Sequence, residues 1–175
     1  MRNIEIKAKV ANLNRLLQLA KNLAHAEPIL ISQHDTFYNC ITGRLKLRRL
    51  LKSGRGELIF YDRPDTEGPK LSSYEKTDLS SNEQLNSLHS VLAKALGIKS
   101  EVKKTRHLFL VGQTRVHVDE VESLGNFMEL EVCLSSDQSE KDGEKIAYDL
   151  MAKLGVSEKD LICGAYADLL VVQKN

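Results

Sequence analysis

The sequence predicts an α+β fold in which a large antiparallel sheet, or a sheet closed into a barrel, carries its helices on the outside. Three observations lead there. Apolar and polar side chains alternate with period two in about eight segments. Those segments are joined by Gly, Pro, Asp and Ser turns more often than by helices. Their polar faces carry runs of like charge, which a simple solvated sheet does not need.

Taken in order, Arg2–Val10 alternates, with Ile4, Ile6, Ala8 and Val10 on one face and Asn3, Glu5, Lys7 and Lys9 on the other. Leu13, Leu16, Leu17, Ala20 and Leu23 fall at helical spacing behind Asn12, a good N-cap. Strands are expected at Ile29–Asn39, Arg44–Lys52, Glu57–Arg63 and Lys70–Asp78. Ser81 and Gln84 form a capping box for a helix bearing Leu85, Leu88, Leu92 and Leu96, which Gly97 stops. Ser100–Val111 and Gln113–Val121 meet at Gly112, and Asn126–Leu134 follows the Gly125 turn. A third helix, Ser139–Leu154, buries Ile146, Ala147, Leu150, Met151 and Leu154, and the apolar tail Leu161–Val172 packs back as helix or strand.

With 175 residues, 42% hydrophobic and 28% charged, the chain reads as one globular domain over 1–175. Twenty-five Lys and Arg against 24 Asp and Glu give a net charge of +1, no global attraction to nucleic acid or an anionic membrane. No apolar run approaches the ~20 residues of a membrane helix, and the start shows no charged-then-apolar pattern, so no leader is expected. The three cysteines, Cys40, Cys133 and Cys163, are odd in number and form no C-x-x-C, so neither a disulfide framework nor a zinc site is expected. A reducing, cytoplasmic location follows as an expectation.

The chemistry lies in how the charges segregate. Arg44, Lys46 and Arg48 share one strand face; Lys7 and Lys9, Lys70 and Lys76, and Lys104 and Arg106 do the same on others. Glu129 and Glu131 flank Leu130, and Asp119 follows Arg115 and His117 at steps of two. Any one such face could point to water. Repeated across most strands, like charges ~6–7 Å apart repel unless a counter-ion sits between them. A barrel with apolar faces outward and charged faces inward would meet both demands, enclosing a polyanion site with carboxylates for a hard metal ion. There is no G-x-G-x-x-G and no P-loop, which disfavours a doubly wound nucleotide fold.

These residues resemble the CYTH domain family, the triphosphate tunnel metalloenzymes, over essentially the whole chain. Asn3-Ile4-Glu5-Ile6-Lys7 is similar to the family's E-x-E-x-K strand, with Asn3 in place of the first Glu. Gln33-His34-Asp35-Thr36-Phe37 is similar to Q-x-D-x-[YF], Leu45-Lys46-Leu47-Arg48 to its basic strand, and Lys104-Thr105-Arg106 to K-x-R. Asp119 through Glu131, with Gly125, Phe127 and Glu129 between, resembles D-x-[VL]-x-G-L-G-x-F-x-E-[IL]-E, and Tyr166-Ala167-Asp168-Leu169-Leu170 resembles the C-terminal Y-x-[DE]-L-L.

The resemblance implies an eight-stranded antiparallel tunnel with helices outside. It implies Mg²⁺ or Mn²⁺ held by Glu5, Glu129 and Glu131 with Asp119 close by, and a phosphate-binding set of Lys7, Lys9, Arg44, Lys46, Arg48, Lys104 and Arg106. Arg63 and Arg115 are added to that set, and Glu129, Glu131, Asp119 and Lys7 are the catalytic candidates. His117 is either a proton carrier or a hydrogen-bonding partner. Two departures stand out: Asn3 removes a carboxylate, and Asp62 falls where a phosphate-binding Lys is expected, with Arg63 beside it. Around the fifth strand, Ser72-Ser73-Tyr74 replaces R-x-E.

Three functions remain open: hydrolysis of an inorganic or organic triphosphate, cyclisation of ATP to cyclic AMP and pyrophosphate, and polyphosphate or nucleotide binding without turnover. The partner in each is a small-molecule triphosphate. Aromatics at 5% with no Trp favour a small substrate without a stacked base.

Overall fold

Period-two alternation gives each strand one apolar and one polar face, and here the sheet closes with the polar face inward. The computed structural model describes residues 2–173. Its strands are β1 (Arg2–Lys9), β2 (Ile29–Tyr38), β3 (Arg44–Leu50), β4 (Arg55–Asp62), β5 (Lys70–Leu79), β6 (Ile98–Val111), β7 (Thr114–Val121) and β8 (Gly125–Cys133). They form a closed barrel in the order β1-β5-β4-β3-β2-β6-β7-β8, and β8 pairs back to β1. Every pairing is antiparallel.

The helices are α1 (Leu13–Ala24), α2 (Asn82–Leu96), α3 (Glu140–Lys153) and α4 (Tyr166–Gln173). Asn12 caps α1 by accepting from the Arg15 amide at 3.0 Å. The Ser81 hydroxyl accepts from the Gln84 amide, but Gln84 reaches back to the Ser80 amide at 2.9 Å, so the reciprocal half of the expected capping box lies one residue upstream. Ser139 and Asp142 make a complete box at α3.

Outside the barrel, Ile4, Ile6, Val116, Val118, Met128, Leu130 and Val132 pack beneath Leu16 and Ala20 of α1 and Ala147, Leu150 and Met151 of α3. Gly143 lets α3 sit close to β1, since a Cβ there would lie 2.6 Å from Ile4 Cγ1. Leu85 of α2 covers Tyr38 and Leu47 on the opposite side. Burying these faces supplies the hydrophobic stabilisation that a charged interior cannot.

The tail Leu161–Val172, expected as helix or strand, follows a 3-10 turn (Glu158–Asp160), bridges Ala8 of β1 at Leu161 and then forms α4, a fourth helix. Instead of lying outside, Ala165, Tyr166 and Ala167 pack across one end of the barrel against Phe37, Val102, Val121 and Phe127. β3 stops at Leu50 rather than Lys52 because the amides of Ser53 and Gly54 turn back onto the Leu50 carbonyl, with Gly54 at φ 67°. Among the described residues no helix is long and apolar enough to cross a membrane.

Candidate active site: a charged cavity inside the barrel

Inward-facing side chains enclose a cavity of about 480 Å³, within the size range of small-molecule sites. Tyr166 and Ala165 form its floor at the α4 end, and the other end is open. Among the described residues eight cationic and five anionic side chains line it, so the near-neutral chain concentrates positive charge where it is least exposed to water. Low dielectric strengthens that field for an anion entering it.

The basic wall is built from two similar units. On β3 and β2, Arg48 donates to both oxygens of Asp35 at 2.8 Å each, and Lys46 lies 3.6 Å from the same carboxylate. On β6 and β7, Arg106 donates to both oxygens of Asp119 at 2.7 and 2.6 Å, and Lys104 lies 3.3 Å away. Each Asp stands directly opposite its Arg in the ladder. Burial works against the charged carboxylates, but Arg48 and Lys46 hold Asp35 below the usual range, and Arg106 and Lys104 do the same to Asp119. Burial and the neighbouring Arg48 pull Lys46 down to about 7, against Asp35, and burial with Arg106 lowers Lys104. Lys7 is held 2.8 Å from Glu129 and lies over the Tyr166 ring at 3.9 Å. Arg63 donates to Glu5 at 3.0 Å and to the Gly164 carbonyl at 2.9 Å.

The acidic wall comes from β1 and β8. Glu5 stands opposite Glu131, and Lys7 opposite Glu129. Burial, then Glu131, raise the Glu5 carboxyl, with Arg63 opposing. Two carboxylates paired across strands in this way repel unless a cation joins them. Glu129 is instead held well below its usual range, because Lys7 and Arg106 outweigh burial. His117 of β7 stands opposite Glu129, and one ligand atom each from His117, Glu129 and Glu131 all lie within 4.8 Å of one another. Burial and Arg106 lower the His117 ring, which favours its neutral form. Two carboxylates, a third across the ladder and a buried imidazole form a donor set that suits a divalent cation.

Of the residues singled out from sequence, Glu5, Lys7, Lys46, Arg48, Arg63, Lys104, Arg106, Arg115, Glu129 and Glu131 line the cavity. Three do not. Lys9 is exposed where β1 ends, beyond the floor. Arg44 is tied to Asp65 at 2.6 Å and Asp168 at 3.0 Å, where it braces α4. Asp119 is 0% exposed, with its oxygens taken by Arg106, Lys104 and the Tyr166 hydroxyl at 3.1 Å; it buttresses the basic wall from behind. Asp62 points outward while Arg63 points in, so the departure at Asp62 leaves the cavity unaltered. Asn3 is buried in the wall and its Oδ1 has no partner among the described residues.

Sequence reasoning missed Asp35 as the mate of Arg48, Tyr166 as the floor, and His117 as a member of the acidic cluster. The last was within reach: a tight turn before Gly125 places His117 opposite Glu129 and Arg115 opposite Glu131.

Comparison with known proteins agrees with this architecture. The model of the CYTH domain family matches residues 1–166. A Methanocaldococcus jannaschii protein, MJ0240, whose name carries a provisional adenylate cyclase assignment, is 26% identical over 97% of this chain and 98% of its own. The PH1012 protein of Pyrococcus horikoshii superposes with a TM-score of 0.81 at 22% identity, covering 95% of this chain and 98% of that one. HpAC1 of Hippeastrum, described as having a dominant triphosphatase activity, superposes with a TM-score of 0.63 at 13% identity over 98% of this chain and 95% of its own.

Proposed function

The chain belongs to the CYTH domain family, and we propose that it is a divalent-metal-dependent hydrolase of an organic triphosphate. The observation that carries this is the facing of the two walls: Lys46, Arg48, Lys104 and Arg106 converge on a cavity whose other side presents Glu5, Glu129 and Glu131. Cations hold the phosphoryl oxygens, Arg in bidentate fashion, and fix the chain in line for attack. A bound Mg²⁺ or Mn²⁺ would neutralise developing charge and polarise the phosphoryl group. Glu5 and Glu131 accept hydrogen bonds from the attacking water. Its oxygen joins the terminal phosphorus as the bridging oxygen departs with the diphosphate, and its proton passes through the acidic wall to solvent.

An organic substituent is supported by the open mouth. Ile31, Leu50 and Leu108 line it, and Ile29 and Leu110, on the same inward faces, are 55% and 57% exposed. Ile29 stands opposite Leu108 in the ladder, so the shelf is continuous with the cavity. Low aromatic content favours a small substrate without a stacked base, and the apolar mouth is compatible with that while adding room for an organic substituent. Apolar surface suffices where a ring is covered rather than stacked.

Phosphorus-31 NMR with ATP and with tripolyphosphate, each with Mg²⁺ and with Mn²⁺, tests the reading. Orthophosphate with ADP, formed faster than orthophosphate with pyrophosphate from tripolyphosphate, is expected. Glu129→Gln should reduce turnover by about 10²-fold or more while triphosphate still binds; full turnover in that variant would refute the metal assignment. Cyclisation of ATP, the reading favoured by the name of MJ0240, would appear as pyrophosphate with a cyclic phosphate resonance.

A further inference from the structure

We propose that His117 is a nitrogen ligand of the bound cation, so that the centre is a mixed imidazole–carboxylate site that selects a first-row divalent ion over Mg²⁺. The inference rests on the reading of the cavity as a metal site and specifies which metal it takes. His117 is 3% exposed, and its Nδ1 has no hydrogen-bond partner among the described residues. A buried ring nitrogen without a partner is costly, and such atoms are rare unless something absent from the protein chain meets them.

The surroundings of that nitrogen suit a cation ligand. Its nearest oxygens are Glu129 Oε2 at 3.7 Å and Glu131 Oε1 at 3.6 Å, too far for hydrogen bonds. Both separations are below twice a metal–ligand bond of about 2.1 Å, the span available to two ligands of one small cation. Glu129 already has one close donor on each oxygen, Lys7 at 2.8 Å and Arg106 at 2.6 Å, and each oxygen keeps a further lone pair that a cation could take. Glu131 keeps Oε1 toward the ring while Arg115 lies 3.5 Å from Oε2. The ladder fixes the arrangement: His117 is opposite Glu129, and Glu131 is the next inward residue on the same strand.

Ligand chemistry then decides selectivity. Mg²⁺ favours an all-oxygen octahedron and keeps its waters, whereas imidazole suits first-row transition ions. Where the family strand carries a first carboxylate this chain has Asn3, so its acidic wall is one charge poorer and the imidazole adds a donor without adding charge.

The experiment uses the full chain with Mn²⁺ alone as the probe. Continuous-wave EPR titration counts bound Mn²⁺, competition with Mg²⁺ gives the preference, and three-pulse electron spin echo modulation reads any directly bound nitrogen. Histidine labelled with ¹⁵N distinguishes ring nitrogen from backbone amide, and His117→Asp and His117→Gln separate this ring from the other four. The wild type is expected to show histidine modulation and to bind Mn²⁺ at least about tenfold tighter than Mg²⁺. His117→Asp should abolish the modulation and narrow the Mn²⁺/Mg²⁺ ratio by about tenfold. Bound Mn²⁺ with no nitrogen modulation in the wild type overturns the proposal and leaves a metal-dependent, all-oxygen centre. Failure of the wild type to bind Mn²⁺, with or without tripolyphosphate, overturns both. The wild-type spectrum decides the matter even if a variant fails to fold.

Discussion

Lys46 offers the sharpest test of how the cavity binds anions. Its ammonium lies 3.6 Å from an Asp35 carboxylate already held bidentately by Arg48, so it has no hydrogen-bonded counter-charge of its own. Burial and Arg48 bring it to about 7 from 10.5. At pH 8 about one molecule in ten then carries charge at Lys46. A triphosphate entering the metal-free protein restores an ordinary ammonium, so binding at pH 8 should take up about 0.9 proton at this residue. Between pH 8 and 9 this group should contribute about a tenfold weakening of binding, read as the difference between wild type and Lys46→Arg because the last proton of tripolyphosphate titrates in the same range. Calorimetric titration with tripolyphosphate in two buffers of different ionisation enthalpy measures the uptake directly. Lys46→Arg, charged throughout, should lose that proton and flatten the pH slope. Equal uptake in wild type and variant would refute the reasoning. Stability has the related sign: a lysine with a depressed folded pKa leaves the unfolded chain binding more protons between about 7 and 10.5, so this residue makes stability rise with pH across that window.

Asp119→Asn should cost about 3–5 kcal/mol in denaturant unfolding, because it strands Arg106 and Lys104 without their shared buried anion. As the folded carboxyl is held below its usual range, its contribution is present above about pH 4 and lost as pH falls through the folded value, so the variant should lose the wild type's acid-linked slope at low pH. Lys9→Ala should leave tripolyphosphate affinity within twofold while Arg48→Ala weakens it by about tenfold or more, measured side by side by calorimetry. Leu108→Asn at the mouth should lower kcat/KM for ATP by about tenfold and leave tripolyphosphate unchanged; an equal loss for both would remove the organic subsite.

The inside-out barrel was legible because Ile4, Ile6 and Ala8 alternate with Glu5 and Lys7, and the same parity recurs from Arg44 to Glu131. Parity says which residues share a face. It does not say how deep along the axis each one sits, and that is where Lys9 and Arg44 part from Lys7 and Lys46: both lie at the end that α4 closes. The placement of α4 is a tertiary event, fixed by Tyr166 on Phe127 at 5.0 Å between ring centroids and by Asp168 bound to Arg44 and Lys99, three elements remote in sequence. Asp62 misled for the opposite reason. Its place in the motif suggested an inward lysine position, but alternation along β4 from Glu57 through Ile59 and Tyr61 turns Arg63 inward and Asp62 out. His117 required register, which parity within one strand cannot supply.

The repeated basic unit explains why a polyanion site can be assembled inside a stable barrel at all. Lys46 and Arg48, two residues apart on β3, share Asp35 from β2; Lys104 and Arg106, two apart on β6, share Asp119 from β7. Without the aspartates each strand would bury two like charges one pleat apart, a cost no outer packing would offset. With them each unit carries at most one net positive charge, reached when its lysine is protonated, and the two cations have different duties. Both arginines are pushed above their usual range despite burial, by the aspartate each one grips, and are therefore fixed charges in fixed forks. Both lysines are pulled down, by burial first and the adjacent arginine second, so an arriving phosphate favours the charged form of each. Asp119 thus has the role of Asp35 rather than that of Glu129. Its nearness to the acidic wall in sequence reflects a shared hairpin, while its oxygens are committed to the cations that the substrate meets.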